Sequence, residues 1–531
     1  MKKRAYGVLG VLLLFLAAAV HSIRGASQSA EYVAAAVGQS VYKLDVAATR
    51  GMIYDCNLQP LVGGSLIRVA AAAPAPETVG ALENATGGRY RERLAAALED
   101  GKPFLLEVDR EINSPYLDVF SVPQRYAEDQ PAVHVIGYTD GLGGGASGIE
   151  YAMNDVLTAA SGEIAVYYTM DALGHVMPGV PRKVENSINL ARAGVQLTLD
   201  AAMQSIAEKA GEKLGKGAVV ITQVPDCEIR ACASFPGFSP LELGAAAKSG
   251  DSPLINRAFC AYAPGSVFKL IPSAVLLESG PGLAGETFTC TGSINAGGML
   301  FYCAGGEAHG EVDLKAALEK SCNGYFISTA RALGGQNVLG LAYNMGLGEF
   351  QEFGRGLVTQ SGNLPEAKAL ENVRALANFA FGQGEITVTP VQLCGLMNTI
   401  ASGGVYSTPK LISALVDERM EITPLQPVTQ RSARVMSIPT AQQLQDILIA
   451  AAKEGTGKKG APENATVGIK TGTAQTGVFD ENGEELYNFW YCGFVCDETG
   501  PGYCITVLRE GIAEDEGITA KVFKEIAASI G

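Results

Sequence analysis

A serine and a lysine stand three residues apart, just after a Pro-Gly break, in Ala263-Pro264-Gly265-Ser266-Val267-Phe268-Lys269. A helix beginning here stacks positions i and i+3 on one face, so the Lys269 amine is expected beside the Ser266 hydroxyl. A helix N-terminus favours negative charge in its first turn, which suits a serine about to become an alkoxide. Lysine serves as its base only if burial or a neighbouring cation keeps it neutral part of the time. The run that follows, Leu270, Ile271, Ala274, Val275, Leu276 and Leu277, leaves no polar face, so the helix is expected to be buried all round. A lysine at the head of a buried helix needs a reason to be there. Pro272 interrupts the run and predicts a kink. By itself a serine and lysine at this spacing occur by chance in any protein of this size.

The 531 residues are enough for about three or four domains. Hydrophobic residues make up 47%, ample for a core, and 64 glycines with 24 prolines imply many tight turns. A formal net charge of -15 supplies no basic stripe and argues against nucleic acid as a partner. Met1-Lys2-Lys3-Arg4 is basic and precedes an apolar stretch from Ala5 to Val20, extending to Ile23. Residues 1–4 are therefore expected as a cytoplasmic tail and 5–23 as an uncleaved single-pass transmembrane anchor, with everything after residue 24 outside. Cleavage near Ala17–Ala19 or Ala26 is the alternative. The eleven cysteines show no C-x-x-C spacing, so neither a zinc ribbon nor a redox motif is expected, and no metal or cofactor is assigned. Cys290 and Cys303 flank a hairpin-like segment; a disulfide and two reduced thiols both remain open. Cys492 and Cys496 read as core.

Along the chain, Glu31 to Ala48 reads as a mildly helical linker and Arg50 to Asp55 as a short strand. Gly137 to Gly148 reads as a flexible glycine-rich surface loop, without the strand and acid a dinucleotide site requires. A composition shift at Lys183–Ala193 separates an N-terminal module, residues 24–193, from a second region, 194–531. That region opens with a strand ending at the N-cap Asp200, a helix over Ala201–Lys213, and a hairpin of Gly217–Thr222 with Ile229–Phe235. Farther on, Ser321-Cys322-Asn323 places a hydroxyl and a carboxamide at a helix junction. Val467 to Gln475 reads as a strand carrying Lys470, Thr471, Gly472 and Thr473, with the glycine allowing close approach of a ligand backbone. Gly455 to Gly460 reads as a mobile flap. Two apolar runs, Phe489–Val495 and Tyr503–Leu508, form a further hairpin, and Thr519–Ile530 the last helix.

S-x-x-K, S-x-N and K-T-G thus occur in that order, the triple shared by class A β-lactamases and penicillin-binding proteins. Arg50-Gly51-Met52-Ile53-Tyr54-Asp55 resembles the R-G-x-I-x-D segment of class B penicillin-binding proteins, although Cys56 stands where arginine is usual. Gly137-Tyr138, Ser147-Gly148-Ile149-Glu150, Leu197-Thr198-Leu199-Asp200, Asn256-Arg257-Ala258, His309-Gly310, Gly382-Gln383-Gly384 and Thr389-Pro390 also match recurring segments of that family. The chain therefore resembles a class B penicillin-binding protein, a monofunctional peptidoglycan D,D-transpeptidase, from about residue 45 onward.

The resemblance implies an α+β fold: a transpeptidase domain with an antiparallel sheet flanked by helices and a helical subdomain. A smaller, mostly β pedestal module of dimerisation type and a membrane anchor would precede it. It implies Ser266 as nucleophile toward the D-Ala-D-Ala carbonyl of a stem peptide, Lys269 as its base, Ser321 as proton relay and Lys470 as the charge that tunes both. Asn323 would bond Lys269 and the donor amide, and Thr471 and Thr473 would hold the terminal carboxylate beside Gly472. Backbone N–H groups of Ser266 and Thr473 would form the oxyanion hole. The implied partners are peptidoglycan stem peptides, β-lactam antibiotics as inhibitors and a multispanning membrane glycan polymerase. No histidine triad competes: His309 lies near Ser321 in sequence but is assigned a structural role. A D,D-carboxypeptidase and a non-catalytic penicillin-binding scaffold are the alternatives.

Overall fold

The structure, a computed structural model, describes residues 2–28, 40–171, 173–177, 179–188, 193–425 and 430–531. It divides into two compact units, one of Met1–Arg50, Gly64–Arg125 and Ser161–Ala191, the other of Gly51–Gly63, Tyr126–Ala160 and Arg192–Gly531. The units are interleaved, whereas the composition shift suggested one contiguous module over 24–193. The reason is visible in pairing and burial. Met52–Tyr54 pairs in parallel with Gly194–Leu197, burying Ile53 completely, and Tyr126 donates a buried hydrogen bond to Glu150 at 2.9 Å.

In the first unit, helix α1 (Lys2–Gln28) contains a 20-residue apolar span, Tyr6–Gly25, of mean hydropathy 2.1 and wholly exposed. At 1.5 Å per residue it is about 30 Å long, the thickness of a bilayer's hydrocarbon core, and fits a single-pass anchor. Val41–Thr49 is a strand rather than the expected helical linker, because its antiparallel pairing with Gly162–Thr169 buries Leu44 and Val46. The earlier part of that linker lies outside the described residues. A second sheet sets Ser65–Ala72 between Phe104–Val108 and Leu117–Gln124. Alternation decides its two faces: Ala70 and Ala72 pack with Leu82 and Leu94 of two helices, Ala71 with Ile164 and Val166.

In the second unit the glycine-rich segment is not a free loop. A Cβ at Gly137 would lie 2.1 Å from the Ser147 carbonyl and one at Gly145 1.9 Å from that of Glu150, so the turn folds tightly onto Gly148–Ala152. The centre of the unit is a five-stranded antiparallel sheet of β1 (Gly217–Gln223), β2 (Glu228–Phe235), β3 (Thr466–Phe479), β4 (Glu485–Asp497) and β5 (Gly500–Ile512), in the order β2-β1-β5-β4-β3. Its strands read as nearly unbroken apolar runs because both faces are covered. Val219, Ile221, Ile505 and Val507 face α2 (Ala201–Gly211) and α7 (Ile518–Ile530). Val220, Cys492, Phe494 and Leu508 face the larger core, which includes α3 (Leu270–Glu278), α4 (Asn323–Leu333), α5 (Pro390–Ala401) and α6 (Ile438–Glu454). Asp200 caps α2 by accepting from the Ala202 and Met203 N–H groups, and Thr389 with Gln392 forms a capping box on α5.

Candidate active site

Ser266 and Lys269 lie not in an α-helix but in a 3₁₀ turn, Gly265–Lys269, which becomes α3 at Leu270. Three residues per turn eclipse positions i and i+3, so the tighter helix aligns the two side chains more closely than an α-helix would. The change of helix type also accounts for Pro272. It stands in the first α turn, where an N–H would have no intrahelical partner. Gly265 makes the turn possible. Its φ is +54°, its N–H bonds the Gly382 carbonyl at 3.0 Å, and a Cβ there would sit 2.6 Å from the Thr473 carbonyl. The serine turn is thereby pressed against β3, and the indole of Trp490 fastens it from β4 by donating to the Ala263 carbonyl at 2.9 Å.

Ser321 occupies the junction between the short helix Leu314–Glu319 and α4, in the left-handed region with φ +53°. Cys322 is the N-cap of α4, its sulfur accepting from the Tyr325 N–H at 3.5 Å. The Asn323 amide donates to the Tyr302 carbonyl at 2.8 Å. That leaves its oxygen facing the lysine.

Four oxygens converge on the Lys269 amine: Ser266 Oγ at 3.0 Å, the Ser321 carbonyl at 2.8 Å, Ser321 Oγ at 3.0 Å and Asn323 Oδ1 at 2.7 Å. The Phe326 ring lies 5.7 Å away. Lys470 donates to Ser321 Oγ at 3.2 Å and to the Thr471 carbonyl at 2.9 Å. Both lysines are fully buried, while Ser266, Ser321 and Asn323 are half-buried. Among the described residues no carboxylate pairs with either lysine. Burial, and then the charge of Lys470, pushes Lys269 well below the ordinary lysine range. Burial pushes Lys470 down to about 7. The structure thus brings Ser266, Lys269, Ser321, Asn323 and Lys470 into one cluster.

The remaining residues lie on β3, which among the described residues has a partner strand on one side only. Thr471 and Thr473, two apart, share a face that is half-buried and then exposed, with Thr471 Oγ1 3.0 Å from Thr456 Oγ1. Gly472 faces inward, and a Cβ there would stand 2.9 Å from the Pro264 carbonyl and 3.0 Å from Val267. The segment Gly455–Gly460, expected as a flap, is tied down. Tyr491 donates to the Gly457 carbonyl at 2.7 Å and accepts from the Gly460 N–H at 3.0 Å.

Sequence reasoning missed the setting behind Ser321. The sulfurs of Cys290, Cys303 and Cys322 and a ring nitrogen of His309 all lie within 4.8 Å of one another. The Cys290 and Cys303 sulfurs, 3.7 Å apart, are not bonded. The signal was Cys322 itself, between the two polar residues of the S-x-N segment; the spacing of the four matches no familiar ligand motif.

Residues 217–528 match the family model described as the penicillin binding protein transpeptidase domain, more than half of the chain. Among curated proteins, stage V sporulation protein D of Bacillus subtilis is 28% identical over 356 residues, 64% of this chain and 53% of that protein. The peptidoglycan D,D-transpeptidase FtsI of Escherichia coli is 24% identical over 81% of this chain and 74% of its own length. The matches to the first of these relatives span about half of their length. Penicillin-binding protein 3 of Mycobacterium tuberculosis, solved with aztreonam, superposes with a TM-score of 0.66 over 92% of this chain and 96% of that one, at 22% identity. The D,D-transpeptidase domain from Eggerthella lenta does so with a TM-score of 0.64 over 91% and 97%, also at 22% identity.

Proposed function

The chain belongs to the penicillin-binding protein transpeptidase family, and from that membership we propose that it is a penicillin-sensitive, serine-type D,D-transpeptidase that cross-links peptidoglycan stem peptides. The observation that carries the proposal is the contact of a buried, charge-depressed Lys269 with both Ser266 Oγ and Ser321 Oγ. A neutral amine has one lone pair, and the Ser266 hydroxyl is within reach to donate its proton to it.

Ser266 Oγ then attacks the carbonyl of the penultimate D-Ala as Lys269 takes its proton. The oxyanion accepts from the backbone N–H groups of Ser266 and Thr473, a reading supported by the close approach of the Gly265 turn to the Thr473 carbonyl. Collapse breaks the C–N bond to the terminal D-Ala. The leaving amine takes a proton through Ser321, which lies between Lys269 and Lys470 and is recharged from them. An amine of a neighbouring stem peptide next attacks the acyl-serine, and its proton returns along the same route. Thr471 and Thr473 hold the terminal carboxylate on the unpaired side of β3, where an extended peptide is added to a sheet edge at small backbone cost. Asn323 fixes Lys269 and the donor amide. β-Lactams acylate Ser266 in place of the peptide.

The basic Met1-Lys2-Lys3-Arg4 before the anchor supports an N-terminus inside and a catalytic unit outside the membrane. The mostly β module over residues 24–193 serves as the pedestal, and a multispanning glycan polymerase is the membrane partner that supplies strands. Labelling by a fluorescent penicillin, wild type against Ser266→Ala, tests the nucleophile: the wild type labels and the variant does not. Labelling that survives in the variant would overturn the assignment. Exchange of D-amino acids into a D-Ala-D-Ala peptide separates transfer from hydrolysis; release of D-Ala without incorporation would indicate a carboxypeptidase.

A further inference from the structure

We propose that Cys290, Cys303, His309 and Cys322 bind one zinc ion, in a structural site behind the S-x-N junction. Three distances carry the geometry. Cys290 Sγ is 3.7 Å from Cys303 Sγ and 3.4 Å from His309 Nδ1, and Cys303 Sγ is 3.9 Å from Cys322 Sγ. Four ligands around tetrahedral zinc, with Zn–S about 2.3 Å and Zn–N about 2.05 Å, place sulfurs ~3.8 Å apart and sulfur and nitrogen ~3.6 Å apart. These three edges lie within about 0.2 Å of the tetrahedral values, and the other three are within 4.8 Å. A disulfide needs its sulfurs about 2.05 Å apart.

Chemistry agrees with geometry. Three thiols buried face to face have little to gain as neutral groups, each being a weak donor and acceptor. As thiolates with a neutral imidazole they form a Cys₃His set, a ligand combination of structural zinc sites. Binding releases three thiol protons and leaves the site with one net negative charge. The Tyr325 N–H points at Cys322 Sγ from the first turn of an 11-residue helix, the outer-shell support a thiolate ligand uses. Cys394, also buried, instead donates to the carbonyls of Val220 and Cys504 in the sheet core. Among the described residues no other cysteines gather in this way.

The ligands come from four short stretches of chain. Cys290 ends the strand Phe288–Cys290, His309 precedes its partner Gly310–Val312, and Cys303 follows the hairpin Ser293–Ala296 with Met299–Tyr302. Cys322 separates Ser321 from Asn323, whose amide reaches the carbonyl of Tyr302, the neighbour of Cys303. Zinc thus ties two small sheets to the junction and fixes Ser321 in its left-handed conformation. This positioning role rests on the transpeptidase reading; the metal site does not.

The test uses the full chain in detergent, purified without chelator. Metal analysis should find about one zinc per chain, released when the thiols are blocked with an organomercurial. In Cys303→Ser and Cys322→Ser the zinc content should fall to roughly a tenth, since even outer-shell losses cost 10–100-fold in affinity. Serine at 322 keeps a good helix cap, so loss of zinc there separates metal binding from capping. Penicillin acylation should fall about 10–100-fold in the same variant. Cobalt exchanged into the wild type should give the intense visible bands and near-ultraviolet charge transfer of tetrahedral thiolate cobalt, a readout independent of both the variants and the enzymatic activity. A zinc-free wild type without those cobalt bands, a Cys290–Cys303 disulfide in unreduced peptides, or zinc unchanged in both variants would overturn the proposal. Zinc lost from Cys322→Ser with acylation unchanged would overturn the positioning role alone.

Discussion

The two sides of the candidate site are built by different means. Lys470, Thr471, Gly472 and Thr473 lie on a 14-residue strand whose ladder with β4 runs continuously from Thr466 to Gln475. Their positions follow from backbone pairing, and alternation alone sends Lys470 inward and Thr471 toward solvent. Ser321 and Asn323 lie instead at a break between two helices, on a residue with φ +53°, supported by side-chain contacts from short hairpins. A β-ladder positions groups cooperatively, whereas a junction depends on each local contact. The anchor side should therefore tolerate side-chain truncation, and the relay side should respond steeply to single changes.

The largest effect should come from the group where both sides meet. Lys269→Met keeps the buried volume but removes the amine, and the penicillin acylation rate should fall at least ~10³-fold while the protein still melts cooperatively. Next, Ser321→Gly suits the left-handed backbone and removes the hydroxymethyl side chain. Acylation should fall about 10²-fold or more with the melting temperature unchanged or slightly raised, as stopped-flow and calorimetry would show. A loss below threefold would mean that Ser321 carries no proton.

On the strand side, Gly472→Ala forces a Cβ toward the Pro264 carbonyl and Val267. Overpacking of this kind costs about 1–3 kcal/mol, read as a lower denaturant midpoint, and should disturb the serine turn along with the strand. Thr473→Ala, on the exposed face, should leave stability unchanged and weaken substrate capture about tenfold, the worth of one hydrogen bond to a carboxylate.

The remaining prediction concerns pH and stability. Lys470 sits at about 7 in the folded protein and near 10.4 in an unfolded chain. Between those values the unfolded state holds a proton that the folded site does not, so this group makes stability rise with pH. Below pH 7 its burial cost is present in full. The melting temperature of the wild type should gain on that of Lys470→Met from pH 7 to about 10, and an opposite trend would place the charge elsewhere.

How much of this was legible in the sequence follows the same division. The strands β1, β3, β4 and β5 announce themselves through apolar runs, and Asp200 and Thr389-Pro390 mark helix starts by their capping chemistry. Those signals are local. The strand at Val41–Thr49 was hidden because its alanines and charges favour no state strongly; its partner is more than a hundred residues away. Pro272 looked like a defect until the 3₁₀ turn before it was known. The serine, lysine and asparagine of the site could be named, since their order on the chain is distinctive. The cysteine cluster could not, because four residues spread over 33 positions are brought together only by how the hairpins fold.

The central claim is that Lys269 is held neutral at working pH so that it can activate Ser266. The second-order rate of Ser266 acylation by penicillin, followed against pH, tests it most directly. The rate should rise and reach a plateau well below the ordinary lysine value near 10.4, with the plateau absent in Lys269→Met. A rate that keeps rising through pH 10, or a plateau retained in the variant, would contradict the account.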